Sequence, residues 1–231
     1  MRIVVIATML VSAVLPAVGQ NPPATGKSAA PVDLTGYWVA YITKDWRFRM
    51  VTPRKGDYQA VPMTEQARKV ADSWDPAADE AAGNQCKAYG AGAIMRAPAR
   101  FHITWQDDNT LKVESDAGMQ TRLFHFNSTA KPAGERTWQG NSTAQWQAGS
   151  LKVVTNNVRA GYLRKNGIPY SENAVVTEYF DVAPLPEGGQ VLLVTTVVDD
   201  PQYLRLPFMV SSDFKKEADG SKWDPTPCTS R

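Results

Sequence analysis

Arg122 and Glu178 are the residues of this chain whose setting most suggests chemistry. In Val175-Val176-Thr177-Glu178-Tyr179-Phe180 the carboxylate alternates into register with Val176 and Phe180. Along Gln120 to Phe126 the guanidinium of Arg122 likewise joins Phe124 and Phe126. Side chains two apart on a strand share a face, so both charges are expected among apolar neighbours. A carboxylate and a guanidinium withdrawn from water together should pair, because either one alone is costly to bury. Such a pair either braces the fold or orients a ligand head group. Unpaired, Glu178 would have a raised pKa and suit general base work, with Arg122 stabilising an oxyanion.

The other candidates are His102 and His125, the only two histidines. Imidazole titrates near neutral pH, so either one, or Tyr179, could serve as the acid of a proton-transfer mechanism. His102 falls on the face of Arg100, Thr104 and Gln106, and His125 on that of Thr121 and Leu123. No HxH or HExxH spacing marks a metal site, and none is expected. Trp138 and Trp146 share one face of their strand with Gly140, Ser142 and Ala144. Two indoles with small residues between them make either ordinary packing or a stacking cleft for a flat ligand, with Ser142 as a hydrogen-bonding group. Ser142 lacks the Gly-x-Ser-x-Gly elbow of a hydrolase nucleophile. At the front, Asp45-Trp46-Arg47-Phe48-Arg49 and Pro53-Arg54-Lys55-Gly56 interleave cations with aromatics, which reads as a strand and turn able to lend an arginine to an anionic head group.

The elements that must position these residues are mostly strands. From Ala99 onward the chain alternates with period 2 between turn signals such as Asp107-Asp108-Asn109, Ala148-Gly149 and Pro186-Glu187-Gly188-Gly189. One short helix is expected, with Thr64 capping the run to Trp74. A long antiparallel sheet must cover a face and deal with its edges, and closure does both. The expected fold is therefore mainly β, a single antiparallel eight- to ten-stranded barrel with an interior fit for side chains or one small ligand.

Met1 to Gly19 has the plan of a cleaved secretory signal peptide: one basic residue near its start, an apolar run, and the small-residue ending Ala17-Val18-Gly19. A membrane anchor is the poorer reading, because Pro16 interrupts a run too short to span and no basic flank follows it. The protein is expected to be periplasmic or secreted, away from nucleotide cofactors, and no cofactor is expected. Residues 20–31 are rich in Pro, Ala and Gly and read as a flexible linker, leaving 32–231 as one barrel domain. Loss of Arg2 with the leader would lower the 25 basic side chains by one against 23 acidic ones. So balanced a charge does not steer a protein to nucleic acid. No later segment is long and apolar enough to insert the mature chain in a membrane as a helix. In an oxidising compartment Cys86 and Cys228 should form a disulfide, pinning the end of the chain to the domain.

Leu34-Thr35-Gly36-Tyr37-Trp38 carries a Gly-x-Trp that resembles the first strand of lipocalins and their calycin relatives, in which the Trp plugs the closed end of a barrel. Between Cys86 and Cys228 a second likeness lies in Trp138-x-Gly140-x-Ser142-x-x-x-Trp146, Leu151-x-Val153-x-Thr155, Asn166-Gly167-x-Pro169-x-Ser171, Thr177-Glu178-Tyr179-Phe180 and Asp200-Pro201-x-Tyr203. With the terminal stretch from Trp223 to Cys228, these segments resemble a group of exported bacterial β-rich domains of no assigned activity. The likeness implies export and one domain. Three functions remain open at this level. The first is an exported barrel binding a small, largely apolar or aromatic molecule in its interior, through Trp138, Trp146, Ser142, Tyr179 and Arg122. The second is a cofactor-independent lyase, isomerase or hydrolase working through Glu178, Arg122, His125 and His102. The third is an interaction module with a packed interior.

Overall fold

The computed structural model describes residues 24–126 and 134–231; the leader and the Asn127-Ser128-Thr129 glycosylation sequon lie outside them. In chain order the elements are β1 (Gly36–Tyr41), α1 (Trp46–Met50), α2 (Glu65–Asp72), α3 (Pro76–Ala81), β2 (Arg100–Asp107), β3 (Thr110–Ser115), β4 (Gln120–Phe126), β5 (Asn141–Gln147), β6 (Ser150–Asn156), β7 (Gly161–Arg164), β8 (Ile168–Tyr170), β9 (Val175–Pro184), β10 (Gln190–Asp199) and β11 (Phe208–Glu217). Single 3-10 turns at Lys87–Tyr89 and Ile94–Arg96 lie between α3 and β2.

Among the described residues nine strands close a barrel in the order β1-β11-β10-β9-β6-β5-β4-β3-β2. The expected all-antiparallel barrel is corrected in one respect: β4 and β5 run parallel, Phe124 opposite Ser142 and Phe126 opposite Ala144. The reason is parity. Strands around a closed ring can alternate direction throughout only if their number is even, so nine strands need a parallel pair. It falls where the chain leaves β4 by a long connection instead of a hairpin. Tight turns give several of the antiparallel ladders, as at Ala148-Gly149 between β5 and β6, where both residues have positive φ, 52° and 91°, while β1–β2, β1–β11 and β6–β9 pair antiparallel across long stretches of chain.

Trp38, Phe101, Phe124, Phe180 and Phe214 are fully buried and point inward in one cluster with Ile103, Leu111, Leu151 and Val153. Their rings meet edge to face, Phe101 on Phe214 at 5.2 Å and Phe124 on Phe180 at 5.5 Å. The barrel interior is a packed core.

Helices are more numerous than the single one expected. Thr64 does cap α2, its hydroxyl accepting from the Ala67 amide at 3.1 Å. α3 starts with Pro76 behind the Asp75 cap, a favoured first position for proline. The segment Trp46–Met50, expected as a strand, is α1. A second apolar cluster joins α2 to the β7–β8 hairpin through Ala67, Ala71, Leu163, Ile168 and Tyr170. Residues 24–31, expected as a flexible linker, instead lie on the barrel. The Gly26 amide donates to Asn109 Oδ1 at 2.9 Å and its carbonyl accepts from Trp146 Nε1 at 2.7 Å. Pro, Ala and Gly bury little area by themselves, but here the glycine allows close approach to an aromatic end of the barrel.

Cys86 and Cys228 form the disulfide. Closing 142 residues, it should stabilise the fold by about 4–5 kcal/mol in the chain-entropy model.

Candidate functional site

The structure brings Arg122 and Glu178 together inside the barrel. Arg122 Nη1 donates to Oε1 at 2.9 Å and Nη2 to Oε2 at 2.6 Å, and both side chains are almost wholly buried. Nη2 also reaches Thr155 Oγ1, which lies 2.7 Å from Ser142 Oγ. Both carboxylate oxygens are thus engaged by one fork, and Ser142 belongs to the same closed network. His102 and His125 do not join it. His102 sits on the outer face, stacked on Tyr37 at 4.1 Å with its Nδ1 3.5 Å from Glu114. His125 is exposed and contacts Thr110 Oγ1 at 3.3 Å. Tyr179 also faces outward, its ring 5.9 Å from Lys152 Nζ. The acid and base expected for proton transfer are therefore on opposite sides of the barrel wall.

The shared indole face is corrected as well. Gly140 takes φ +60° and β5 begins only at Asn141, so Trp138 lies outside the strand. Its ring is covered by the Arg159 guanidinium at 4.1 Å. Trp146 projects inward at the far end of β5, where it packs on Phe126 at 5.6 Å and is capped by Gly26. No cleft separates two indoles.

A different site emerges at the other end of the barrel, beside the start of β2. A cavity of about 310 Å³ lies between α1 with its following residues, the two 3-10 turns and the end of β7. Three buried guanidiniums converge on it, Arg49 from α1, Arg96 from the second turn and Arg164 from β7, and the exposed Arg231 also lines it. All three side chains are buried, Arg49 at 8% exposure, Arg96 at 6% and Arg164 at 3%. Each is fixed by carbonyls: Arg49 Nε donates to Arg96 O at 2.8 Å, Arg96 Nη1 to Leu163 O at 3.1 Å, and Arg164 Nη1 to Gln59 O at 2.7 Å. The Arg164 guanidinium also lies over the Phe48 ring at 4.0 Å.

Counter-charge is scarce. Asp45 pairs with Arg96 and does not cap α1, despite holding the N-cap position. It takes a left-handed φ of 54°, a conformation that Asp adopts more readily than most residues and that is often retained at functional sites. Arg49 Nη2 and Arg164 Nε are buried without any hydrogen-bond partner. Burial first, and then the neighbouring charge of Arg96, pushes both guanidiniums down to about 10. Burial also lowers Arg96, with Asp45 working against it.

Phe48, Met50, Val51 and Leu163 supply an apolar wall, and the exposed Met50 and Val51 mark where it meets solvent. On the far side Lys165 Nζ donates to Tyr89 Oη at 2.7 Å and to Thr229 Oγ1 at 3.2 Å. Burial works to raise the Tyr89 hydroxyl, but these bonds hold it below its ordinary value. The disulfide fastens this wall, since Cys86 precedes the turn bearing Tyr89 and Cys228 precedes Thr229.

Of this site the sequence marks only Arg49, through the alternation of cations and aromatics in residues 46–49. Arg96 and Arg164 come from distant segments with no common spacing. Among the described residues no group of three or more His, Cys, Asp or Glu could hold a metal ion, and no helix is long and apolar enough to cross a membrane. The chain matches no family model, no curated protein and no solved structure.

Proposed function

We propose that this is an exported binding protein that holds a small, largely apolar molecule in the cavity beside α1, with the calycin-like barrel as its rigid support. The observation that carries the reading is that cavity. Its 310 Å³ lies at the lower end of the range typical of ligand sites, and it combines an apolar wall with a few fixed polar groups. The packed aromatic interior argues for binding at the barrel's end and against binding along its axis. Outward histidines and a fully engaged Glu178 leave the proton-transfer alternative without an assembled acid and base. Export is part of the proposal, supported by the sequence of the leader and by the disulfide.

The test is native mass spectrometry of the full chain produced with its leader and purified from the periplasm, before and after incubation with a metabolite extract. A retained small-molecule mass is expected, and it should be lost in Val51→Trp, which fills the mouth of the cavity from an exposed position. A mass retained equally by the variant would remove the ligand from this cavity. Absence of any retained mass in both preparations would end the binding reading.

A further inference from the structure

We infer that the cavity selects a ligand with a dianionic oxyanion head of the phosphoryl type, an inference that rests on the binding function proposed above. Charge is the first support. Three buried guanidiniums, Arg49, Arg96 and Arg164, line the cavity, and the carboxylate paired with one of them is Asp45, which lies outside the lining. The flanking ions do not reduce that surplus of two, because Lys44 is paired with Asp213 and Arg47 with Asp57, while Lys165 adds to it. A head group carrying two negative charges would balance it, whereas a monocarboxylate would leave one buried cation uncompensated.

Hydrogen bonding is the second support. Arg49 Nη2 and Arg164 Nε are donors without partners on side chains more than nine-tenths buried, and both residues line the cavity. An unmade bond at a buried charged donor is costly, and since neither atom has accessible surface in this conformation, an acceptor that a small side-chain shift brings to both is favoured. The two donors come from different elements, α1 and β7. A planar carboxylate is well matched to a single guanidinium fork. A tetrahedral head with three terminal oxygens can accept from donors on two separate guanidiniums at once. The guanidiniums are already held, by Arg96 O, by Gln59 O and by the Phe48 ring, so little ordering remains for the ligand to impose. Lys165 has its ammonium committed to Tyr89, Thr229 and the Arg231 carbonyl, and is a flanking charge here. The wall of Phe48, Met50, Val51 and Leu163 then takes an apolar body joined to that head.

Four probes in isothermal titration calorimetry on the full chain at pH 8 separate the possibilities: hexyl phosphate, inorganic phosphate, hexanoate and hexan-1-ol. At that pH a phosphomonoester is dianionic, its second pKa being about 6. Hexyl phosphate is expected to bind about tenfold or more tighter than each of the others. Arg49→Met and Arg164→Met should each weaken it by at least about tenfold, the scale of a lost charged hydrogen bond, with hexan-1-ol unaffected. Met50→Glu, at an exposed position on the cavity wall that leaves the core intact, should weaken hexyl phosphate by at least about tenfold more than it weakens hexan-1-ol, because both lose apolar wall but only the phosphate is repelled.

Equal affinity for hexanoate and hexyl phosphate would overturn the preference for a dianion. Inorganic phosphate binding as tightly as hexyl phosphate would overturn the apolar body. If hexan-1-ol matches hexyl phosphate, the oxyanion inference fails while the cavity still binds apolar ligands. Saturable binding by none of the four also overturns it, and the binding function is then judged separately by the mass retained from the periplasm.

Discussion

Glu178 gives both of its oxygens to Arg122, and that single commitment turns the most reactive-looking pair of the sequence into a brace across the barrel. Its energetics are asymmetric: a buried ion pair adds little over an apolar pair of similar volume, yet breaking it strands a charge. Glu178→Gln or Arg122→Met alone should therefore destabilise the protein by about 3–5 kcal/mol in urea denaturation, while Arg122→Met with Glu178→Leu should recover more than half of that loss. Binding at the arginine cavity should be unchanged in the double variant. Period-2 alternation was enough to read from the sequence that Arg122 and Glu178 face inward, but not whether they pair, because alternation carries no information on which strands lie opposite each other. The same alternation misleads at residues 46–49, where aromatic and basic side chains suit a strand equally well. There Asp45 turns left-handed and starts a helix, which buries Arg49 and leaves Trp46 and Met50 exposed four residues apart on one face. The convergence of Arg49 with Arg96 and Arg164 depends on tertiary contacts more than forty residues apart, for which a single sequence carries no local signal.

Among the elements, the stretch 24–28 departs furthest from its composition. It is tied to the β2–β3 turn by the Lys27 amide to Asp108 O at 2.9 Å, and to β5 through Trp146. A methyl group on Gly26 would overlap the Phe126 ring. Gly26→Ala is expected to cost about 1–3 kcal/mol by overpacking and to shift Trp146 emission to the red as water reaches the indole; unchanged emission would mean that the segment does not cover this ring. Composition reports what a segment can bury by itself, and here the burial is provided by the partners Trp105, Phe126 and Trp146, whose rings lie 5.5–5.6 Å apart. Strand identity was legible for the same reason in reverse, since alternation is a local property that each strand carries alone. The β7–β8 hairpin is too short to show it, and is fixed by packing on α2 and by Asn166, whose amide donates to the carbonyls of Arg54 and Asp57 at 3.1 and 2.9 Å.

At the scale of the whole molecule, the barrel, the aromatic cap at one end and the arginine cavity at the other form one frame, with the disulfide tying the cavity wall to the residues after Cys228. Closure was predictable from the edges a long sheet would otherwise expose, and nine strands fall within the expected eight to ten, but whether the number is odd or even was not legible, and with it went the direction of one neighbour. That parallel neighbour pair has a mechanical meaning. Among the described residues β4 and β5 pair from Phe124 to Phe126 against Ser142 to Ala144, whereas β9 and β10 pair over their whole ten-residue lengths. The β4–β5 join is the barrel's shortest among the described residues, one pair fewer than β1–β2, and it makes a seam at which amide hydrogens should exchange with deuterium earlier than those of β9 and β10. Uniform protection around the barrel would contradict this. Such a seam gives the cylinder a preferred line of opening, on the side of the wall away from the strongly zipped β9–β10 ladder, so that thermal breathing can be confined to one edge without loosening the rest.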